Sequence, residues 1–435
     1  MRARIGTLLL CGLCGACGGQ LGGGGAVDVA AEKASAAVTA TNATGQSSTS
    51  SSTTIDFSAN NDFFHDFGTN GRTCGTCHKL DQGWTITPAA ASALPASDPL
   101  FLFDGSDCLA PGQANPSPSA NSKALLHNGL IRVEIAIPAT ADYTLIGYTD
   151  PLGCPTNPMV THVLRMYRRP LPSANSAFLT TVMWDGREPS LASQANDATL
   201  GHAQATMALT GSQQNSIVAF ETDTFNAQSL VGKLKLSNGT VAPAFFRGIN
   251  DSLSPGFSPI IFTIYSSWEP TGHPPTATAA AIGRGEALFN SRTFTISGVR
   301  GLNDGPAPAS FSGTCGTCHD TPNVGNHSLP LAIDVGATAP SPAGLDVSLL
   351  PTYTFRSGSQ QITVTDPGRG LITGKFADLG KTKGPILRAL AARAPYFHNG
   401  SARDLPTLVD FYDARFGIGL STAEKADLVA FLGAL

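Results

Sequence analysis

The chain has 435 residues, which is too long for one hydrophobic core and fits two domains of ordinary size. Charged residues make up only 13% of the sequence and the formal net charge is −4, so the chain has no basic footprint of the kind that nucleic-acid binding requires. The 47 glycines and 30 prolines predict long irregular segments rather than extended surface helices.

The first 17 residues have the pattern of an export signal. Arg2 and Arg4 give a positive start, an apolar run follows from Ile5 to Leu13, and small residues precede Cys17. The arrangement resembles a bacterial lipoprotein signal with Cys17 as the acylated residue; an ordinary cleaved signal peptide is the alternative. The apolar run is too short to span a membrane. Both alternatives predict an exported protein of the periplasm or cell envelope, and the first adds a lipid anchor at Cys17.

Residues 18–54 are predicted to form a flexible, low-complexity tether. The segment consists largely of Gly, Ala, Ser and Thr and has almost no large apolar side chain with which to bury a core. Order is predicted to begin near Ile55. Several aromatic residues follow, and they are suited to cover the edge of a planar cofactor.

The pentapeptide Cys-Gly-Thr-Cys-His occurs twice, at Cys74–His78 and at Cys315–His319. C-x-x-C-H is the attachment signature of c-type haem, in which two thiols form thioethers to the haem vinyl groups and the adjacent histidine ligates the iron. A redox-active C-x-x-C pair and half of a zinc knuckle are the alternatives, but neither gives a reason for the histidine. The sequence therefore predicts two covalently bound c-type haems, held by Cys74, Cys77, His78, Cys315, Cys318 and His319.

The sequence between Lys79 and Thr161 is rich in Pro and Gly and contains β-like apolar runs such as Leu130–Ile137. It predicts an irregular, loop-rich insertion. Cys108 and Cys154 are the cysteines left over from the signal and the two motifs. In an oxidising compartment they predict a disulfide that closes a loop of about 47 residues and contributes roughly 4 kcal/mol. Two unrelated buried thiols are the alternative.

Helical patterns dominate the rest of the chain. A helix-like segment is predicted at 161–167, and a Pro-, Thr- and Ala-rich linker at 266–278 separates it from a helix over Ala277–Asn290. Two more helices close the chain, Leu405–Phe416 and Ser421–Leu435, the second with a capping box at its start. These elements predict a mainly α protein with two cytochrome c-like domains, 55–270 and 277–435, each carrying one covalent haem, with the loop-rich insertion in the first.

Two further stretches, together with the paired motifs, resemble the bacterial dihaem cytochrome c peroxidase family, which includes the MauG enzymes. Trp184–Ala195 is close to the family pattern W-D-G-R-x-x-S-L-x-x-Q-A. Leu387–Ser401 is close to L-R-N-x-x-x-x-A-P-Y-F-H-D-G-S. The segment Arg168–Pro172 also resembles the rubber-oxygenase branch of these dihaem proteins.

The resemblance assigns a role to each motif. The haem on His78 would be the catalytic site that meets peroxide or dioxygen, and the haem on His319 would transfer electrons. Trp184 would lie between the haems as an electron relay, with a plain core tryptophan as the alternative. Gln194 matches a glutamine on the distal side of the first haem.

Two departures from the family pattern bear on chemistry. The sixth ligand of the second haem, a methionine in the peroxidases and a tyrosine in MauG, falls on Tyr412; a simple core residue is the alternative. A phenolate stabilises ferric iron better than a thioether does.

Where the family has a catalytic glutamate this chain has Gln204, which cannot transfer protons near neutral pH. His202 is the predicted replacement, with an exposed or structurally bonded histidine as the alternative; His65, His127 and His162 are further candidates.

The resemblance also implies a calcium ion between the domains. In the family it is bound by backbone carbonyls just before P-Y-F-H and by an asparagine fifteen residues before the tryptophan. That asparagine position falls on Arg169, whose charge would repel calcium, whereas the carbonyls of Arg393 and Pro395 remain available. Calcium binding is left open at this point.

The function that the resemblance implies is haem-dependent oxidation, with reduction of hydrogen peroxide as the first expectation. Electrons would come from a periplasmic donor such as a small cytochrome or a cupredoxin. One alternative is oxidation of an organic or protein substrate, as in the MauG and rubber-oxygenase branches. A dihaem electron carrier without catalytic activity is the other.

Overall fold

The computed structural model describes residues 37–102, 123–153, 156–236, 260–269, 272–305, 308–326 and 331–435. The predicted signal with Cys17 and the predicted Cys108–Cys154 disulfide lie outside the described residues. Within the described residues, no helix combines the length and the apolar character needed to cross a membrane.

The described residues contain helices and strands in comparable numbers. The helices are α1 (Cys74–Cys77), α2 (Pro88–Ser92), α3 (Lys123–Asn128), α4 (Pro158–Thr161), α5 (Leu191–Gly201), α6 (Gly211–Asp223), α7 (Ala277–Ser291), α8 (Gly370–Thr373), α9 (Leu405–Phe416) and α10 (Thr422–Gly433). The strands are β1 (Ala37–Asn42), β2 (Gly45–Ser50), β3 (Ile131–Ala136), β4 (Thr144–Thr149), β5 (Val163–Arg168), β6 (Phe225–Val231), β7 (Leu234–Lys235), β8 (Phe294–Ser297), β9 (Ser310–Gly313), β10 (Ala332–Ile333), β11 (Thr352–Ser357), β12 (Gln360–Val364) and β13 (Thr382–Lys383).

The predicted mainly α fold class is wrong, because helices account for 32% and strands for 21% of the described residues. The clearest error is the helix predicted at 161–167, where the structure has strand β5 paired antiparallel with β3. Leu164 and Met166 of this strand are completely buried, and the residue before each of them, Val163 and Arg165, is more exposed. Alternation of this kind has the period of a strand rather than that of a helix.

The predicted tether is wrong for residues 37–50. Strands β1 and β2 form a hairpin, and β2 continues into a four-stranded sheet by pairing with β6. The small polar side chains of β2 are buried because they find partners far along the chain: the Thr49 hydroxyl accepts hydrogen bonds from the Trp84 indole at 2.9 Å and from the Asn226 amide at 3.0 Å. Low apolar content therefore does not prevent order when long-range polar partners are available.

The C-terminal helices follow the sequence patterns closely. The predicted helix over Leu405–Phe416 is confirmed as α9, and α10 begins after Ser421 with the predicted capping box. Helix α10 packs against α7, and Gly285 allows the close approach: a Cβ atom there would lie 2.1 Å from the carbonyl oxygen of Asp427 and 2.5 Å from the Cβ of Phe431.

Contacts also join the two halves of the chain. Strand β4, from the predicted insertion, pairs with β11 in a three-stranded sheet, with Tyr148 opposite Tyr353. Arg168, at the end of β5, donates two hydrogen bonds to Asp366, which is 198 residues away along the chain. These contacts connect the half of the chain with the first Cys-Gly-Thr-Cys-His motif to the half with the second. The boundary between residues 55–270 and 277–435 stays a prediction.

The α7–α10 contact gives a test of packing. We expect Gly285→Ala to lower the free energy of unfolding by about 2 kcal/mol or more, since neither the Asp427 backbone nor Phe431 can yield without repacking. Thermal unfolding followed by circular dichroism would measure the change. Gly211→Ala in α6 is the matched control, because an added Cβ there would meet no described atom within 4 Å apart from its chain neighbours and the backbone of its own helix. Equal midpoints for the two variants would contradict the close packing at Gly285.

Candidate active site

The first Cys-Gly-Thr-Cys-His motif lies at a cavity of about 680 Å³, which is lined by Cys74, Cys77 and His78. Helix α1 presents both thiols from a single turn, and the N–H of His78 donates to the Cys74 carbonyl at 3.0 Å. The ring nitrogen Nδ1 of His78 donates to the carbonyl oxygen of Trp84 at 2.9 Å. Because a carbonyl only accepts, this bond fixes the proton on Nδ1 and leaves the lone pair on Nε2, as an iron ligand requires.

The second motif repeats this arrangement at a smaller cavity of about 180 Å³ lined by Cys315, Cys318 and His319. The N–H of His319 donates to the Cys315 carbonyl at 3.1 Å, and its Nδ1 donates to the carbonyl oxygen of Gly325 at 2.7 Å. Both motifs therefore orient their histidine through a backbone carbonyl six residues further along the chain. The two sites are built on the same local plan.

Three of the four motif thiols have a raised pKa. Burial raises the pKa of Cys74 to about 12, with smaller contributions from Glu221 and Cys77. Burial likewise raises the pKa of Cys315 and of Cys318 to about 12. Thiols that exchange disulfides have a lowered pKa instead. The described residues also contain no cluster of three or more His, Cys, Asp or Glu side chains suited to a metal ion such as zinc.

Aromatic side chains pack behind each ligand histidine. The ring centroid of Phe63 lies 6.2 Å from that of His78, and Phe63 packs in turn against Phe220 at 4.7 Å. In the second site, the Phe289 ring lies 6.2 Å from the His319 ring. Each motif histidine thus has a phenylalanine ring as a neighbour.

The predicted catalytic residues Gln194 and His202 line the first cavity together with His78. Both come from α5: Gln194 lies within the helix, and His202 caps its C-terminal end. The pKa of His78 is lowered, first by burial and in smaller part by the nearby His202. The backbone of His202 is anchored, because its carbonyl accepts a hydrogen bond from the Asn70 side chain at 2.8 Å.

The other histidine candidates lie in different surroundings. His65 lines the first cavity, and its Nδ1 lies 3.1 Å from the carbonyl oxygen of Ala59. His127 lies beside Asp346 at 3.7 Å with half of its side chain exposed, and His162 is exposed. Gln204 lines the first cavity at its rim, and its side-chain amide donates to the Gly201 carbonyl.

A shared wall separates the two cavities, and Trp184 belongs to it. The indole Nε1 of Trp184 donates to the carbonyl oxygen of Arg169 at 2.8 Å, and the Trp184 carbonyl accepts from the Lys383 N–H at 2.9 Å. Its ring centroid lies 6.1 Å from that of His398, which lines the second cavity. The side chains that line both cavities are Arg169, Pro170, Pro172 and Trp184.

The predicted ligand Tyr412 lines the second cavity together with His319. It lies on α9, and its ring stacks on Phe416 with centroids 6.2 Å apart. The pKa of Tyr412 is raised above its ordinary value, first by burial and then by Cys318 and Cys315. The predicted residues are thus divided between the two cavities: Gln194 and His202 line the first, and Tyr412 lines the second.

Similarity to known proteins extends over much of the chain. The chain is 35% identical over 136 residues to cytochrome-c peroxidase IdrP2 of Denitromonas iodatirespirans, a match that covers 28% of this chain and 36% of that protein. It is 26% identical over 321 residues to methylamine utilization protein MauG of Methylorubrum extorquens, covering 68% of this chain and 71% of MauG. The relatives named cytochrome-c peroxidase and MauG support a likeness to the dihaem cytochrome c peroxidase and MauG family.

No family model matches the chain. A solved structure described as a MauG-like protein associated with microbial copper homeostasis aligns over 86% of both chains with 16% identity and a TM-score of 0.42. The match to the peroxidase spans about a third of that relative's length, so the similarity does not by itself fix the substrate or the electron donor. Proteins of the cytochrome c peroxidase and MauG family carry c-type haem, and the thiols and oriented histidines of both motifs fit that group.

The sequence analysis missed two buried ionisable residues that line the cavities. Glu221 lines the first cavity, its Oε2 has no hydrogen-bond partner among the described residues, and burial raises its pKa to about 8. Lys383 lines the second cavity, its Nζ has no partner among the same residues, and burial lowers its pKa to about 7. An unpaired ammonium suits an anionic group such as a haem propionate.

A sequence signal for one of them existed. Ile217 and Glu221 are spaced i, i+4 and are the buried residues of α6, so a carboxyl group lies on the apolar face of that helix. Lys383 lies in the two-residue strand β13, where no periodicity could distinguish it from a surface lysine.

A network of buried charges braces the Trp-Asp-Gly-Arg segment of the family pattern. The Arg168 guanidinium donates to Asp366 at 2.7 and 2.9 Å and to Asp185 at 2.5 Å. Arg187 also pairs with Asp185, at 3.1 Å. Burial alone would raise the pKa of Asp366, but the Arg168 charge outweighs it and holds that pKa at about 2.

We expect Asp366→Asn to lower the free energy of unfolding by roughly 3 kcal/mol at pH 7, because it leaves the buried Arg168 charge with one carboxylate fewer. The folded-state pKa of Asp366, about 2, lies below its ordinary value of 3.8. Its contribution is therefore complete above about pH 4 and is lost as the pH falls toward 2. Denaturant unfolding at a series of pH values should show the difference from the native chain shrinking below pH 4.

Asp410→Asn is the matched control, since Asp410 is exposed and pairs only with Lys425 at the surface among the described residues. It should change the stability by less than about 0.5 kcal/mol. A deficit in Asp366→Asn that stays constant from pH 7 to pH 3 would contradict the role of the ionised carboxylate.

Proposed function

We propose that this chain is an exported dihaem oxidoreductase that reduces hydrogen peroxide at the first motif, with electrons delivered through the second. The observation that carries the proposal is the position of Trp184 in the wall common to two unequal cavities. A relay must lie between its donor and its acceptor, and a fixed ring at that point satisfies the requirement. Two electrons and two protons convert one peroxide into two waters, and the electrons would come from a periplasmic cytochrome or cupredoxin.

Bound haem supplies the redox chemistry and the site at which peroxide is cleaved. The chain's own part is to bind, orient and protonate. His78 and His319 are proposed as iron ligands, each turned by a carbonyl that accepts from its Nδ1. The Gln194 amide would hydrogen-bond peroxide, and the His202 imidazole would take a proton from one peroxide oxygen and return it to the other.

Trp184 is well suited to relay electrons because its ring is held on two sides. Its indole N–H and its backbone carbonyl both take part in hydrogen bonds, and 8% of the residue is exposed. A ring that does not reorient when the charge moves lowers the energetic cost of electron transfer. The predicted alternative, a plain core tryptophan, does not account for its contact with both cavities.

We expect His202→Ala to lower the steady-state rate of peroxide reduction about 100-fold or more, the usual contribution of a positioned acid–base group. His273→Ala is the matched control, because His273 lies exposed on a loop, and it should keep the native rate. Haem content and the ferric absorption spectrum establish that both variants fold. A native rate in His202→Ala would contradict the proton-transfer role.

Tyr412 supports a second candidate function, oxidation of an organic or protein substrate as in the MauG branch. We expect Tyr412→Phe to change the low-spin electron paramagnetic resonance signal of the second haem, since a phenyl ring cannot ligate iron. Tyr143→Phe, which removes a buried hydroxyl hydrogen-bonded to the Gly370 carbonyl, is the control and should leave that signal unchanged. An unaltered signal in Tyr412→Phe would contradict ligation.

The ferric spectrum of the native protein separates these functions from a pure electron carrier. An open catalytic site gives a high-spin haem that responds to peroxide. Two low-spin haems without any response to peroxide would contradict both enzymatic functions.

A further inference from the structure

Arg169 points its side chain into a ring of backbone carbonyl oxygens. Its guanidinium donates to the carbonyl of Gly129 at 3.0 Å, to that of Arg393 at 3.0 Å and to that of Ile86. The residue is 4% exposed, and the described residues offer it no carboxylate partner within salt-bridge distance. Burial and the nearby Arg393 charge lower the pKa of Arg169 to about 9, which still leaves it positively charged at neutral pH.

The carbonyl oxygens around the guanidinium are of a kind that also binds calcium in proteins. The family resemblance implies calcium at this junction, and the carbonyl of Arg393 is one of its expected ligands. In this chain that carbonyl accepts a hydrogen bond from Arg169 instead. A divalent cation beside the guanidinium would meet a like charge in a site of low dielectric constant. The residues present therefore do not fit calcium.

Gly129 shows that the space is shaped for the guanidinium. Its φ is +62°, and a Cβ atom at this position would lie 1.9 Å from Nη1 of Arg169. Any side chain at 129 would displace the guanidinium from the carbonyl ring. The guanidinium of Arg169 can occupy this position only because residue 129 is a glycine.

The backbone of Arg169 connects this ring to the wall between the cavities. Its carbonyl accepts from the Trp184 indole at 2.8 Å, and its N–H donates to the carbonyl of His398 at 2.6 Å. Fixing the side chain at its far end therefore fixes the backbone groups that hold Trp184 and His398. Arg169 acts on the proposed relay through its neighbours, as a positioning residue.

We infer that the Arg169 guanidinium is a built-in cation that takes the place of calcium, joining three separate segments around Trp184 and making the protein independent of calcium. The part that concerns electron transfer rests on the proposed function. A covalently attached cation cannot dissociate, so the geometry at Trp184 does not vary with the calcium concentration outside the cell. Calcium content is measured without any assay of activity, so failure of this inference is distinguishable from failure of the proposed function.

The first test uses the full-length, haem-loaded native protein after dialysis against EGTA. We expect no stoichiometric calcium by mass spectrometry, and no change in either haem spectrum or in the rate of electron transfer between the haems when calcium is added to millimolar concentration. One bound calcium per chain, or a chelator-induced change that calcium reverses and magnesium does not, would overturn the inference. This test needs no variant and does not depend on the folding of one.

The second test compares Arg169→Asn with Arg403→Asn, a control in which the same substitution removes an exposed arginine. In EGTA, Arg169→Asn should slow electron transfer between the haems at least tenfold, and calcium but not magnesium should restore part of the rate by occupying the vacated carbonyl ring. Arg403→Asn should match the native protein with and without calcium. A native rate for Arg169→Asn in EGTA, or a slowed rate without any response to calcium, would overturn the proposed replacement of one cation by another.

Discussion

The structure depends on two consecutive buried arginines at the point where the two halves of the chain meet. A guanidinium withdrawn from water is stable only if its N–H groups find acceptors, so each arginine draws partners to itself. Arg168 takes two carboxylates, Asp185 and Asp366, and Arg169 takes backbone carbonyls from three segments. The first residue braces the segment that carries Trp184, and the second holds the indole through its own carbonyl. The hydrogen bonds and ion pairs of the two guanidinium groups offset the free-energy cost of burying their charges. The same bonds fix the wall between the cavities.

Identical motifs serve unequal cavities because local structure and surroundings are determined separately. The histidine N–H bond to the first cysteine carbonyl, the oriented histidine ring and a nearby phenylalanine recur at Cys74–His78 and Cys315–His319. What differs comes from elsewhere in the chain: α5 brings Gln194 and His202 to the larger cavity, and α9 brings Tyr412 to the smaller one. The local structure of each motif is thus determined by nearby residues, whereas the residues that line each cavity are determined by the fold.

The features that the sequence predicted are those that depend on neighbours along the chain. The attachment motifs, helix α9 and the capping box of α10 are of this kind. The features that it missed depend on distant partners: β2 is ordered because Thr49 meets Trp84 and Asn226, and β5 was mistaken for a helix because its partner strand β3 lies in a segment read as loops. Lys383 shows the same limit at the site, since only the surrounding fold makes its ammonium buried.

The large sequence separation of these contacts determines which parts of the chain can fold first. Arg169 and its acceptor Arg393 are 224 residues apart, and β4 must wait for β11 before its sheet can form. Contacts of such high sequence separation form late, because the loop between them must close before the contact repays the lost entropy. The Cys74–His78 turn, by contrast, is local and can form as soon as it is synthesised. The first motif can therefore take up its local structure on an open chain, and the wall beside its cavity is completed only when the C-terminal half folds against it.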